Sequence, residues 1–209
     1  MAEIWKIDGS RLEAALEYSV RLIQRGRVVS FPTDTFYALG ADPFNLAAVS
    51  EVFRIKGRAA NRPLPLLVSS LDQAADLTSN PPGLFFRLAA KYWPGPLTLV
   101  APASQLIPYK VTGNTGKVGL RCPKASFALA LIKAAGRPLT GTSANLTEQP
   151  ACSTAAEVDG QVGRDLPLIL DAGPSGGELA STVVDLCGEC PRVLRPGPIS
   201  EEELQEFFG

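Results

Sequence analysis

Arg27-Val28-Val29-Ser30-Phe31-Pro32-Thr33-Asp34-Thr35 decides the class of this chain. A short apolar run stops at a proline and gives way to two hydroxyls and a carboxylate, the pattern of a buried strand opening into a polar loop. Upstream, Ser10 and Glu13 have capping-box spacing, Leu12, Ala15, Leu16, Val20 and Ile23 mark one helical face, and Gly26 stops the helix. Downstream, a second helix spans Asn45–Ile55 and closes at Gly57; Leu64–Ser69 reads as a strand, and Ser70 caps a short helix that ends before Asn80-Pro-Pro. The alternation continues with a helix over Leu84–Tyr92, strands over Leu97–Val100 and Lys117–Cys122, a helix over Ser126–Ala135 and a strand over Pro138–Thr142. A helix over Thr154–Val162 precedes strands at Leu166–Leu170, Ser181–Leu186 and Arg192–Arg195. Ser200 and Glu203 open a terminal helix. Such alternation predicts an α/β protein, residues 1–209 forming one domain around a twisted, open, mixed sheet flanked by helices.

Composition narrows the chemistry. Twenty basic and 21 acidic residues leave a formal net charge of −1, so no global field draws the chain to a polyanion. Histidine is absent, which excludes Ser–His–Asp and Cys–His catalysis and the HExxH zinc hydrolases. Catalysis by this chain would rest on positioning, charge neutralisation, lysine, carboxylate or hydroxyl groups. The acidic N-terminus lacks a signal-peptide pattern, and no apolar run is long enough to cross a bilayer, so the expected location is the cytoplasm with no membrane partner. Cys122 and Cys152 are isolated, while Cys187-Gly-Glu-Cys190 lies between two strand-like runs and reads as a hairpin turn, with zinc or redox roles as the alternative.

Four segments carry more than fold. Pro32–Gly40 follows a buried strand, where open α/β sheets bind ligands, although a Thr/Asp-rich turn would look the same. Arg54-Ile-Lys56-Gly-Arg58-Ala-Ala-Asn61-Arg62 sets four cations in nine residues without an acid: an anion site, or a solvated face with cations at a helix C-terminus. Arg121 lies inside an apolar strand and needs an internal carboxylate or a ligand. Thr140-Gly-Thr-Ser143-Ala-Asn145 offers hydroxyls, an amide and backbone N–H groups to phosphate, without the GxxxxGK[ST] of a P-loop.

In order along the chain, the Pro32-Thr-Asp-Thr35 loop with Tyr37 and Gly40, Lys56-x-Arg58 with Pro63-Leu64, Trp93-Pro-Gly-Pro-Leu-Thr98, Gly119-Leu-Arg121-x-Pro123, Ser143-x-Asn145, Ser181-Thr-Val-Val-Asp185 and Leu194-Arg195-x-Gly197 resemble the YrdC-type threonylcarbamoyl-adenylate synthases. The resemblance covers nearly the whole chain and implies the short, single-domain YrdC-like form. It implies that L-threonine, bicarbonate or CO2, and ATP yield threonylcarbamoyl-AMP and pyrophosphate, for later modification of adenosine 37 in tRNA. Implied catalytic residues are Lys56, Arg58, Ser143 and Asn145. Thr35, Arg121 and Ser181 would bind threonine; Lys56, Arg58, Arg62, Ser143, Asn145 and Arg195 would bind the nucleotide. Mg2+ would accompany ATP, with no separate protein metal site. Downstream tRNA threonylcarbamoyl-transfer proteins would be partners, and tRNA itself would bind at most weakly. Departures from the family pattern are Ala38 for glycine, Ala59 after Lys-x-Arg, Arg62, and Leu146-Thr-Glu-Gln-Pro150 where x-Ser-Gly-x-Pro is common. The competing readings are a nucleotide- or RNA-binding module without catalysis, and a carbamoyl or adenylyl transferase acting on another amine.

Overall fold

A computed structural model describes residues 2–59 and 61–208. The strands are β1 Glu3–Lys6, β2 Val29–Pro32, β3 Tyr37–Gly40, β4 Leu66–Leu67, β5 Leu97–Pro102, β6 Lys117–Arg121, β7 Leu139–Thr140, β8 Thr142–Ser143, β9 Leu168–Asp171, β10 Thr182–Asp185 and β11 Arg192–Arg195. The helices are α1 Leu12–Gln24, α2 Leu46–Lys56, α3 Leu71–Asp76, α4 Gly83–Tyr92, α5 Tyr109–Thr112, α6 Ser126–Ala135, α7 Ala155–Val162 and α8 Glu201–Phe208. The mixed α/β class holds, but the strands divide into two mixed sheets, ordered β1-β9-β2-β3-β8 and β11-β10-β5-β6-β4-β7. The break comes where the sequence suggested one strand over 138–142. Thr140 ends β7 in the second sheet and Thr142 begins β8 in the first. Gly141 between them has no room for a side chain, because a Cβ there would fall 2.5 Å from Leu67 Cγ.

Most helix ends follow their signals. The Asn45 side chain accepts from the backbone N–H groups of Ala47 and Ala48, and Gly57 closes α2 in the left-handed conformation at φ 58. Ser70 caps α3, and reciprocal capping boxes join Thr154 to Glu157 and Ser200 to Glu203. At α1 the expected Ser10–Glu13 box does not form. Ser10 instead donates through N and Oγ to Asp8 Oδ1, which also accepts from Arg11 N, so a nearer carboxylate takes the serine.

Two further differences shape the site. Tyr37–Gly40, expected within a loop, is the buried strand β3, paired antiparallel with β2, so the polar loop shrinks to the turn Thr33–Phe36. Its four residues are wholly buried, and a run with both faces covered shows no alternation to read. The strand β1 and the short α5 also lack a sequence signal. The Cys187–Cys190 segment is the turn between antiparallel β10 and β11, and all four cysteines are free thiols.

Candidate active site

A cleft of about 470 Å³ opens over the second sheet and is closed on one side by the β2–β3 turn and β8 of the first. Strand alternation supplies its floor. Thr98 and Val100 come from β5; Lys117, Gly119 and Arg121 from β6; Val183 and Asp185 from β10, with Ser181 just before it. The intervening Leu97, Leu99, Val118, Leu120 and Val184 point away into the core.

Arg121 sits at the deep end, 6% exposed. Its Nε donates to Gly95 O at 3.1 Å, one terminal nitrogen donates to Thr35 Oγ1 at 2.8 Å, and the other is ion-paired with Asp34. The Trp93–Pro96 loop that presents Gly95 is fixed by Trp93 Nε1 donating to Leu97 O and by Gly95 N donating to Cys122 O. Thr33 shapes the opposite turn: its Oγ1 donates to Phe36 O and accepts from Thr35 N. Burial lowers the Arg121 pKa against the pull of Asp34, yet the guanidinium stays charged. Of the two sequence alternatives, the internal carboxylate is present as Asp34, and Arg121 also lines the cleft. It uses three of the five N–H donors of a guanidinium and keeps one on each terminal nitrogen.

Beside it, Arg195 donates through Nε and a terminal nitrogen to Ser181 O, and through the same terminal nitrogen to Ser181 Oγ. Ser181 Oγ also shares a 2.8 Å hydrogen bond with Thr98 Oγ1. Gly197 permits this arrangement, because a Cβ there would lie 2.4 Å from Ala180 O and from Thr182 N.

Along the wall, Ser143 lines the cleft with Thr142 and Arg58. Lys56, expected to face phosphates, is instead buried behind this wall at 4% exposure and is not among the cleft-lining residues. Its Nζ donates to Ser143 O, to Asn145 O at 2.8 Å and to Asn145 Oδ1 at 3.2 Å, so a loop folded over the C-terminus of α2 consumes all three donors. Burial, and then the neighbouring Arg58, pull the Lys56 ammonium down to about 8. Asn145 is likewise turned inward, its amide closing the 145–149 turn through Leu146 O and Gln149 O. Arg62 is exposed and lies off the cleft wall. Arg58 donates to Pro63 O, and its buried Nε has no partner among the described residues.

The structure thus brings Thr35, Arg58, Arg121, Ser143, Ser181 and Arg195 of the expected site residues onto the cleft, and sets Lys56 and Asn145, expected to contact the nucleotide, one layer behind it. Sequence reasoning underrated four residues. Asp34 holds Arg121. Tyr37 lines the cleft with its hydroxyl donating to Gly173 O at 2.7 Å, and burial raises its pKa. Lys117 and Asp185 form a 2.8 Å ion pair at the far end of the floor. Charged residues in otherwise apolar strands were the available signal for that pair.

The Sua5/YciO/YrdC family profile, described as telomere recombination, matches residues 21–197. The chain belongs to this family. A threonylcarbamoyl-AMP synthase of Pyrococcus abyssi is 36% identical over 92% of the chain and 58% of its own length. One from Vibrio campbellii is 32% identical over 87% of the chain and 98% of its own length. The crystal structure of P. abyssi Sua5 complexed with L-threonine superposes with a TM-score of 0.94 at 34% identity, covering 100% of this chain and 61% of that one. The chain therefore spans about three fifths of its P. abyssi relative. Among the described residues of this family member, no helix is long and apolar enough to cross a membrane. No three carboxylate or cysteine side chains among them are grouped to hold a metal ion, and both carboxylates at the cleft are already paired with cations.

Proposed function

We propose that this chain is an L-threonylcarbamoyladenylate synthase, joining L-threonine, bicarbonate or CO2, and ATP into threonylcarbamoyl-AMP with release of pyrophosphate. The observation that carries the reading is one cleft in which the Arg121–Thr35 and Arg195–Ser181 clusters meet Arg58 and Ser143, on a chain whose relatives carry that name. In this reading the two remaining donors of Arg121 take the threonine carboxylate as a planar fork. Thr35 and Ser181 contact the rest of the amino acid. The threonine amine, having lost its proton, adds to CO2 to form a carbamate, whose oxygen displaces pyrophosphate from the α-phosphorus of ATP.

Arg58 and Arg195 stand where phosphate charge collects. Lys56 acts from behind the wall: it fixes the Ser143–Asn145 loop and adds a positive charge there. The apolar wall of Phe36, Leu64, Leu67 and Val183 keeps water from the α-phosphorus and the carbamate. ATP would enter as its magnesium complex, the ion held by phosphate oxygens as part of the substrate. The product would pass to proteins that deliver threonylcarbamoyl to adenosine 37 of tRNA, which places the work in the cytoplasm. The test is pyrophosphate release by the purified protein with each substrate omitted in turn. Release should require threonine, bicarbonate and ATP together. Release that persists without threonine, or that other amino acids support equally, would refute the assignment.

A further inference from the structure

The turn that ends β10 carries a motif with no part in the chemistry above. β10 and β11 are paired as far as Asp185 and Arg192, and Leu186–Pro191 close the hairpin. Counting inward from that pair, Leu186 falls opposite Pro191 and Cys187 opposite Cys190. Residues directly opposite across an antiparallel pair have Cα atoms about 4.5–5.5 Å apart, and a disulfide asks for about 4.4–6.8 Å. The tip folds back on itself, since a Cβ on Gly188 would touch Cys190 O at 3.5 Å. Both sulfurs are free thiols; Cys190 is exposed and Cys187 half-buried, whereas Cys122 and Cys152 are buried.

Cys187 also touches the cleft floor. Its Sγ donates to Val100 O at 3.8 Å, and its backbone N donates to Asp185 Oδ1 at 3.0 Å. Asp185 in turn pairs with Lys117, and Val100, Lys117 and Asp185 all line the cleft. The two sulfurs therefore differ in kind. Burial, and then Asp185, push the Cys187 thiol up to about 12, which keeps it protonated at neutral pH. Cys190 stands open to solvent, so a small reagent meets its sulfur first.

We propose that Cys187 and Cys190 are a redox-active dithiol, closed to an intramolecular disulfide by a low-molecular-weight disulfide such as glutathione disulfide, and that closure slows turnover in the cleft. The Cys190 sulfur, its proton lost to water, attacks one sulfur of the small disulfide. That S–S bond breaks, and the first small thiolate leaves and takes up a proton. The Cys187 sulfur, its proton likewise lost, then attacks the Cys190 sulfur and displaces the second small thiol. The dithiol gives up two electrons and two protons, and the small disulfide gains them as two thiols. To close the bond, the Cys187 sulfur leaves Val100 O, and its backbone N pulls on Asp185 and with it on Lys117. The bond lies at an exposed tip, so excess small thiol reopens it. The dithiol stands apart from the function proposed above; only its effect on turnover rests on that reading.

For the test, the reduced full chain is incubated in glutathione buffers of increasing disulfide content, quenched with an alkylating agent and mapped by peptide mass. Wild type should lose alkylation at both Cys187 and Cys190, with the peptide that spans them lighter by two hydrogens. Cys187→Ser should hold glutathione on Cys190, and Cys190→Ser should take none at Cys187. Pyrophosphate release with threonine, bicarbonate and ATP should fall at least threefold in closed wild type and return with dithiothreitol. Cys190→Ser should show no response to the oxidant. A wild type that stays reduced, that stops at the glutathione adduct, or that links two chains would overturn the dithiol. Equal turnover in open and closed protein would overturn its effect on the cleft. Closure without release in either state would sink the synthase reading, and the effect on turnover with it, while the dithiol stands. Threonine-dependent release from a protein that never closes would do the reverse.

Discussion

At the scale of single residues, the site depends on charges held where water cannot screen them. Lys56 is the clearest case. Its ammonium sits near 8, well under the ordinary lysine value of 10.5, because burial and Arg58 oppose its charge. The native state therefore holds this proton less tightly than the unfolded chain does. Stability tied to Lys56 is at its lowest below pH 8 and recovers as pH rises from about 8 toward 10.5. Under the proposed function the effect runs the other way, since the charge that would attract phosphate is lost over the same range. The KM for ATP should climb between pH 7 and 9 in wild type, and Lys56→Met should show a higher KM with that slope abolished. A parallel slope in both proteins would remove Lys56 from nucleotide binding.

Arg121→Lys keeps a cation beside Asp34 but loses the fork. Threonine KM should rise at least about tenfold, consistent with the roughly 1.5–3 kcal/mol of a charge-assisted hydrogen bond. Melting temperature should change little, because Asp34 is not stranded without a partner. Steady-state kinetics against threonine decide the point, and an unchanged KM would place the amino acid elsewhere.

At the scale of elements, the caps and turns put these side chains within reach of one another. Helix ends were largely legible, because an N-cap or a left-handed glycine satisfies backbone groups within a few residues of itself. The turn at 146–150 shows a local cost. Glu148 adopts φ 71, in the left-handed region, at the position where the resembled family has glycine. A non-glycine residue there costs roughly 1–2 kcal/mol. Glu148→Gly should stabilise the protein by about 0.5–1 kcal/mol, after the extra unfolded-state entropy of glycine is subtracted. Asn145 closes the same turn through Leu146 O and Gln149 O, so pyrophosphate release should be retained. Denaturant midpoints compare the two proteins; a lower midpoint in the variant would show that the glutamate is not strained. Elements without a local signature were harder to anticipate. β3 is buried on both faces, and the sequence offers no sign that Gly141 passes the chain from one sheet to the other.

At the scale of the whole molecule, the cleft exists because two sheets meet, so ligands that bridge them should hold them together. At a concentration of 100 times its Kd, a ligand bound to the native state adds about 2.7 kcal/mol. For a chain of this size that is a rise of roughly 5–10 °C in melting temperature. Differential scanning fluorimetry should show such a shift with ATP and with threonine, separately and together. No shift from either at saturating millimolar concentration would argue against the cleft as their common site. The sequence alone determined the α/β class, the order of most helices and strands, and the residue types available for chemistry, above all the lack of histidine and the run of cations at the end of α2. Periodicity, caps and breakers act over one or two turns of chain, so these features are written locally. Tertiary structure alone decided the division into two sheets, the retreat of Lys56 behind Ser143 and Asn145, the pairing of Asp34 with Arg121, and the meeting of Lys117 with Asp185. The Lys56, Asp34–Arg121 and Lys117–Asp185 contacts each join residues at least 68 positions apart. They are fixed by strand register and crossover, which no short window of sequence contains.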